Sequence, residues 1–189
     1  MKRAIAALEH DAVPYALGGS LACWARGGPW SSNDLDVMVK PADAERALDA
    51  LVRAGMRAER PPEQWLLKAW DDDALVDLIF APAGLQVDDE LLSRSERLHV
   101  AGMNVSVMAL EDVLTTMLLA VNEQSLDYTD LVQIARSLRE QIDWPALRAR
   151  TEQSPYAAAF FSLVEALGLV AAVPREDWDG ATVRLARPR

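Results

Sequence analysis

The chain has 189 residues, about half of them apolar, enough for one packed domain with a helical extension. A formal charge of −10 excludes strong, indiscriminate binding to nucleic acid or an anionic membrane, though not a local basic patch. A single cysteine, Cys23, excludes an internal disulfide, and no apolar run is long enough for a signal peptide or membrane span, so a cytoplasmic protein is expected.

Residues 2–10 form a short amphipathic pattern with Ile5 and Leu8 inward. A turn leads to a first strand, Tyr15 to Leu17, and Gly18 and Gly19 then open a helix from Ser20 to Arg26. Glycines between a strand and a helix let backbone N–H groups approach a phosphate. Ser20 can cap that helix or donate its hydroxyl to the same anion. Gly27-Gly28-Pro29 ends the helix, and the loop Trp30-Ser31-Ser32-Asn33 follows. A phosphate on Ser31 or Ser32 would add negative charge beside the acids that follow.

The next stretch carries the chemistry. Leu35, Val37 and Val39 alternate with Asp36 and Met38, and Asp34 stands just before them, which is the two-residue period of a half-buried strand. Asp34 and Asp36 share one side, about 7 Å apart along the backbone, a costly arrangement unless a cation neutralises them. Mg²⁺ does so with oxygen ligands and brings substrate phosphates with it.

Pro41 opens a clear helix with Ala44, Ala47, Leu48, Leu51 and Val52 inward, closed by Gly55. Residues 64–70 and 74–80 form a hairpin across Asp71-Asp72-Asp73, which is a solvated turn rather than a metal site. Asp77 is the only charge on the second strand, and Lys68 lies on the first, within reach of a phosphate if it faces that way. Residues 81–97 look irregular, and residues 98–108 make a second hairpin turning at Gly102 or Asn104. From Leu110 the period becomes helical: Leu110, Val113, Leu114, Met117, Leu118 and Val121 form one stripe, and Leu131, Ile134, Ala135 and Leu138 another. Phe160, Phe161, Val164 and Leu167 form a third, with Asp143 and Ser154 as N-caps.

Gly19-Ser20, a gap of 13 residues, Asp34-Leu35-Asp36-Val37 and the later Asp77 together resemble the polymerase-beta-like nucleotidyltransferase superfamily. The layout through residue 168 is similar to MenT/AbiEii-type toxins of bacterial toxin–antitoxin pairs. The resemblance implies an α/β (α+β) fold, a mixed sheet flanked by helices with a C-terminal helical bundle. It implies a catalytic domain over residues 1–108, a helical region over 109–170 and a loosely ordered tail over 171–189. Asp34, Asp36 and Asp77 would hold Mg²⁺, with Asp77 also able to act as general base, and Gly19, Ser20, Lys68 and Asp130 would serve the nucleotide. Asp127 and Asp130 match acids on the family's next helix, whereas Met117 stands where relatives carry a lysine.

The implied reaction is transfer of NMP from NTP to a hydroxyl, with the 3′ end of tRNA as the expected acceptor and a cognate antitoxin as a possible partner. A tRNA acceptor needs basic surface, for which Arg136, Arg139, Arg148 and Arg150, or Arg53, Arg57 and Arg60, are the candidates. The alternatives are an aminoglycoside-type small-molecule nucleotidyltransferase, which the acidic balance suits, and a non-catalytic nucleotide-binding module, which Met117 keeps open.

Overall fold

The computed structural model describes residues 1–30 and 34–171. The loop serines Ser31 and Ser32 and the tail expected after residue 171 lie outside the described residues.

Helix α1 (Lys2–His10), strand β1 (Tyr15–Leu17), helix α2 (Gly19–Ala25) and strand β2 (Leu35–Val39) come first. A 3-10 turn, Pro41–Asp43, leads into α3 (Ala44–Arg53). Strands β3 (Arg57–Glu59), β4 (Leu66–Asp71) and β5 (Ala74–Ile79) follow, then a short helix α4 (Asp89–Ser93) and the hairpin β6 (Glu96–Val100) and β7 (Met103–Val107). Helices α5 (Leu110–Ala120), α6 (Thr129–Leu138), α7 (Trp144–Arg150) and α8 (Pro155–Ala166) complete the described chain. Among the described residues the seven strands form one mixed sheet in the order β3-β4-β5-β2-β1-β7-β6, so the fold is α/β as the motifs imply.

Two parallel pairings place the site. β2 lies parallel to β5 and antiparallel to β1, and β1 in turn lies parallel to β7. The chain can therefore set β2 at the centre of the sheet, with β1 and β5 on either side. Leu35, Val37 and Val39 are buried, as their alternation requires, and Met38 is buried as well. α3 packs on β4 and β5 and against α1, turning Ala47, Leu48 and Leu51 into the core. Full burial of one such leucine contributes about 1.5–3 kcal/mol. Ala44, Ala47, Leu48 and Leu51 of α3 are buried as their spacing requires, with Ala50 beside them, while Val52, one residue from the end of the helix, is exposed.

The two hairpins form as expected. Asp72 turns the first with φ of +54°, and Asp71 is ion-paired to Arg3. Ala101 and Gly102, both at positive φ, make the tight turn of the second. Residues 81–97 are not wholly irregular, because Asp88 caps α4 by accepting a hydrogen bond from the Leu91 amide at 2.8 Å. Asp143 and Ser154 cap α7 and α8 as their sequence context requires. On α8, Phe160, Phe161 and Val164 are buried but Leu167 is exposed, for it falls at the C-cap beyond the last turn. No described helix is long and apolar enough to cross a membrane.

Candidate active site

Strand register brings the sequence-predicted acids together. Asp36 stands opposite Asp77 in the parallel β2–β5 pair, and Lys68 stands opposite Asp77 in the antiparallel β4–β5 pair. Neighbouring strands are about 4.8 Å apart, so these three side chains form one row across the sheet. Leu67 and Ala69 are buried on the opposite side of β4, which turns Lys68 toward the acids. Its Nζ lies 3.1 Å from Asp77 Oδ1. The contact is an ion pair rather than a well-aligned hydrogen bond, because Oδ1 is buried and has no hydrogen-bond partner of good geometry.

Gly19 closes the row from above. The Gly18 amide donates to the Asp36 carbonyl at 2.9 Å, which ties the turn to β2. Gly19 has φ of +57°, and a Cβ on it would lie 1.8 Å from Asp36 Oδ2. Only glycine fits there, for both its conformation and its contact with the carboxylate. Ser20 follows in the first turn of α2.

Electrostatically the row is unbalanced. Burial pushes the Asp36 carboxyl up to about 7, and the Asp77 and Asp34 charges push the same way against Lys68. Burial raises the Asp77 carboxyl too, while Lys68 opposes the rise. Their hard oxygen donors and deficit of positive charge are of the kind a divalent cation takes. As placed, no three acidic, histidine or cysteine side chains among the described residues form a closed ligand set for an ion.

Two cavities flank the acids. One of about 430 Å³ lies between the sheet and α5, bounded by Asp36, Met38, Trp65, Ile79 and Met117, with Asp36 the one charged residue on its wall among the described residues. The other, about 360 Å³, lies past Asp34 against Trp24 and Trp30, whose rings meet edge to face at 4.9 Å. Asp130 is not in the acidic row. It is exposed, with Asp127, on a neighbouring depression beyond Met117, and Asp127 accepts from the Thr129 amide in the turn before α6. A larger cavity of about 1010 Å³ beside α7 and residues 168–171 lies away from the acids.

The sequence profile of a family described as "uncharacterised nucleotidyltransferase" matches residues 29–171. The chain belongs to this nucleotidyltransferase family. No curated protein matches it. Among solved structures, the nucleotidyltransferase is similar in fold to ANT(2″)-Ia in complex with adenylyl-2″-tobramycin, at 17% identity and a TM-score of 0.60, covering 86% of this chain and 95% of that one. It is also similar to a putative nucleotidyltransferase, TM1012, from Thermotoga maritima, at 16% identity and a TM-score of 0.51, covering 74% of this chain and 88% of that one. The protein is thus an enzyme of nucleotidyl transfer.

The sequence left one cluster around the helices unrecognised. Asp112, in the Glu111-Asp112 pair, is fully buried and is held by Arg94 at 3.0 Å and Arg150 at 2.7 Å. The clustered arginines expected to make a basic surface are mostly committed to acids: Arg53 to Asp11, Arg60 to Glu45, Arg139 to Glu140 and Arg148 to Glu165. Arg57 lies over the Trp70 ring. Arg136 makes no ion pair among the described residues.

Proposed function

We propose that the enzyme moves a nucleoside monophosphate from an NTP to a hydroxyl of a small molecule. The observation that carries this is the register placing Asp36 beside Asp77 under Gly19. Asp34, Asp36 and Asp77 would hold Mg²⁺, which when bound neutralises the triphosphate and makes the acceptor hydroxyl more acidic. Asp77 takes the hydroxyl proton as general base. The Gly19-Ser20 turn faces the phosphates, and the apolar walls of Met38, Ile79 and Met117 suit the flat faces of a nucleobase. Most of the rate enhancement is positioning and charge neutralisation, as in other phosphoryl transfers.

Two observations support a small acceptor over the tRNA end. The arginines that would face RNA are neutralised by neighbouring acids on a chain of net charge −10. The fold neighbour ANT(2″)-Ia carries an adenylylated aminoglycoside. The toxin resemblance rests on motif order, and tRNA and an antitoxin partner belong to that second reading. The test is incubation of wild type and Asp36→Asn with Mg²⁺, each labelled NTP in turn, and either tRNA or a panel of hydroxyl-bearing antibiotics. Wild-type label on an antibiotic is the expected result. Label on tRNA instead would overturn the small-acceptor assignment and restore the toxin reading. Nucleotide binding without transfer to either class would favour the binding-module reading.

A further inference from the structure

Lys68 is the one cation in the acidic row among the described residues, and its position gives it a role in the metal-free protein. We propose that Lys68 is the resting counter-ion of Asp77 and must yield that carboxylate to the metal, so that it weakens metal binding while holding the acids together without it. The proposal rests on the metal-dependent reading above.

Three observations carry it. The rung Lys68–Asp77 sits in the middle of a six-rung hairpin, between Leu67–Leu78 and Ala69–Val76, so the lysine cannot leave the row by slipping register. Its Nζ lies 3.1 Å from a buried carboxylate oxygen that has no hydrogen-bond partner of good geometry. Other cations of the surrounding elements are committed elsewhere: Arg26 to Glu96 and the Met108 carbonyl, Lys40 to Asp43 and Asp89, Arg94 to Asp112.

An ammonium and a divalent ion cannot both use that oxygen, since they compete for its electrons and repel each other. Lysine suits such a temporary role because its charge sits on a flexible four-carbon stem. Once displaced, the ammonium can turn to the phosphates that accompany the metal. The lysine then acts in sequence, first on the acid and afterwards on the substrate, and Lys68 is a positioning residue in the first of these states.

The experiment measures Mn²⁺ binding by titration calorimetry without nucleotide, and thermal unfolding in a chelator, for wild type, Lys68→Met, Lys68→Arg and Asp36→Asn. Lys68→Met is expected to bind Mn²⁺ about tenfold more tightly than wild type, as loss of a competing charge requires. In chelator it should unfold about 2–5 °C lower, because Asp36 and Asp77 then face each other without a counter-charge. Lys68→Arg should stay within about twofold of wild type in affinity, since the charge is kept. A lysine that served only the phosphate would leave Mn²⁺ affinity unchanged in Lys68→Met, and that result would overturn the proposal. It would leave the metal reading standing, provided wild type binds Mn²⁺ and Asp36→Asn does not. Absence of Mn²⁺ binding by both wild type and Lys68→Met would sink the metal reading and this proposal with it.

Discussion

Asp112 is fully buried and Asp36 half-buried, and the fold treats the two carboxylates in opposite ways. Asp112, completely buried, receives two arginines from distant segments, Arg94 through Nε and Nη2 and Arg150 through Nη1. Asp36 receives two more acids and shares one lysine that is directed at Asp77. The first carboxylate is satisfied by the fold and ties α5 to α7 and to the segment after α4. The second is left with a deficit of positive charge, which an outside cation can supply. A buried acid without its counter-ion marks a place where something binds.

The largest expected effect comes from removing that deficit. Asp36→Asn should lower nucleotidyl transfer by about a thousandfold, the scale of losing one main electrostatic stabiliser of a phosphoryl transition state. The same change should stabilise the metal-free protein. Folded, the Asp36 carboxyl keeps its proton up to about pH 7, whereas unfolded it loses it near the model-peptide value of 3.8. Between these values the folded state binds more protons, so rising pH costs the wild type stability, by about 1.4 kcal/mol per unit at most. Asparagine has no such proton to lose. The stability of Asp36→Asn relative to wild type, measured by urea unfolding in chelator, should therefore grow by about 3–4 kcal/mol from pH 4 to pH 8. A difference that stays flat with pH would mean that Asp36 is solvated like a surface acid.

The next effect breaks the satisfied acid. Arg150→Met removes one of the two cations on Asp112 and keeps most of the side-chain volume. Losing one partner of a buried ion pair costs about 3–5 kcal/mol, and the partial exposure of Arg150 brings the expectation down to about 2–3 kcal/mol. Chemical denaturation reads this directly. Transfer activity per folded molecule should stay near the wild-type value, which separates the structural carboxylate from the acidic row. A large loss of activity at unchanged stability would place Asp112 in the working site.

The same contrast explains what was legible in the sequence. The acidic row was legible because period-two alternation and lone charges on apolar strands are local signals, and Asp34, Asp36 and Asp77 all carry them. The side toward which Lys68 points was not, since it depends on the β4–β5 register and on Leu67 and Ala69 packing behind it. The Asp112 cluster was hidden for a similar reason: its arginines lie 18 and 38 residues away in the chain. β3 is a three-residue edge strand, Arg57-Ala58-Glu59, with no apolar alternation to mark it. α4 is five residues long, too short for a helical stripe, though the cap Asp88 followed by Asp89 and Glu90 was a readable start signal. Val52 and Leu167 were assigned inward by spacing and are exposed, and both stand at the C-terminal end of their helix.

The smallest effect bears most directly on the acceptor. Arg60 and Glu45 form an ion pair with both side chains more than half exposed, at 57% and 64%. Such a pair is worth little in water, so Arg60→Ala should change stability by less than about 0.5 kcal/mol. Its effect on activity separates the two acceptors. A small molecule in the cleft beside Asp36 does not extend to this cluster, and kcat/KM should stay within about twofold at any salt concentration. An RNA acceptor draped over the arginines would lose a phosphate contact with each one removed, and the salt dependence of its binding would flatten by about one unit of slope per contact. The Glu45 carboxylate already opposes such a contact, since RNA would have to displace it from Arg60 before its own phosphate could approach. A marked loss of activity in Arg60→Ala, deepening as salt is lowered, would therefore outweigh the ion-pair argument and point to a polyanionic acceptor.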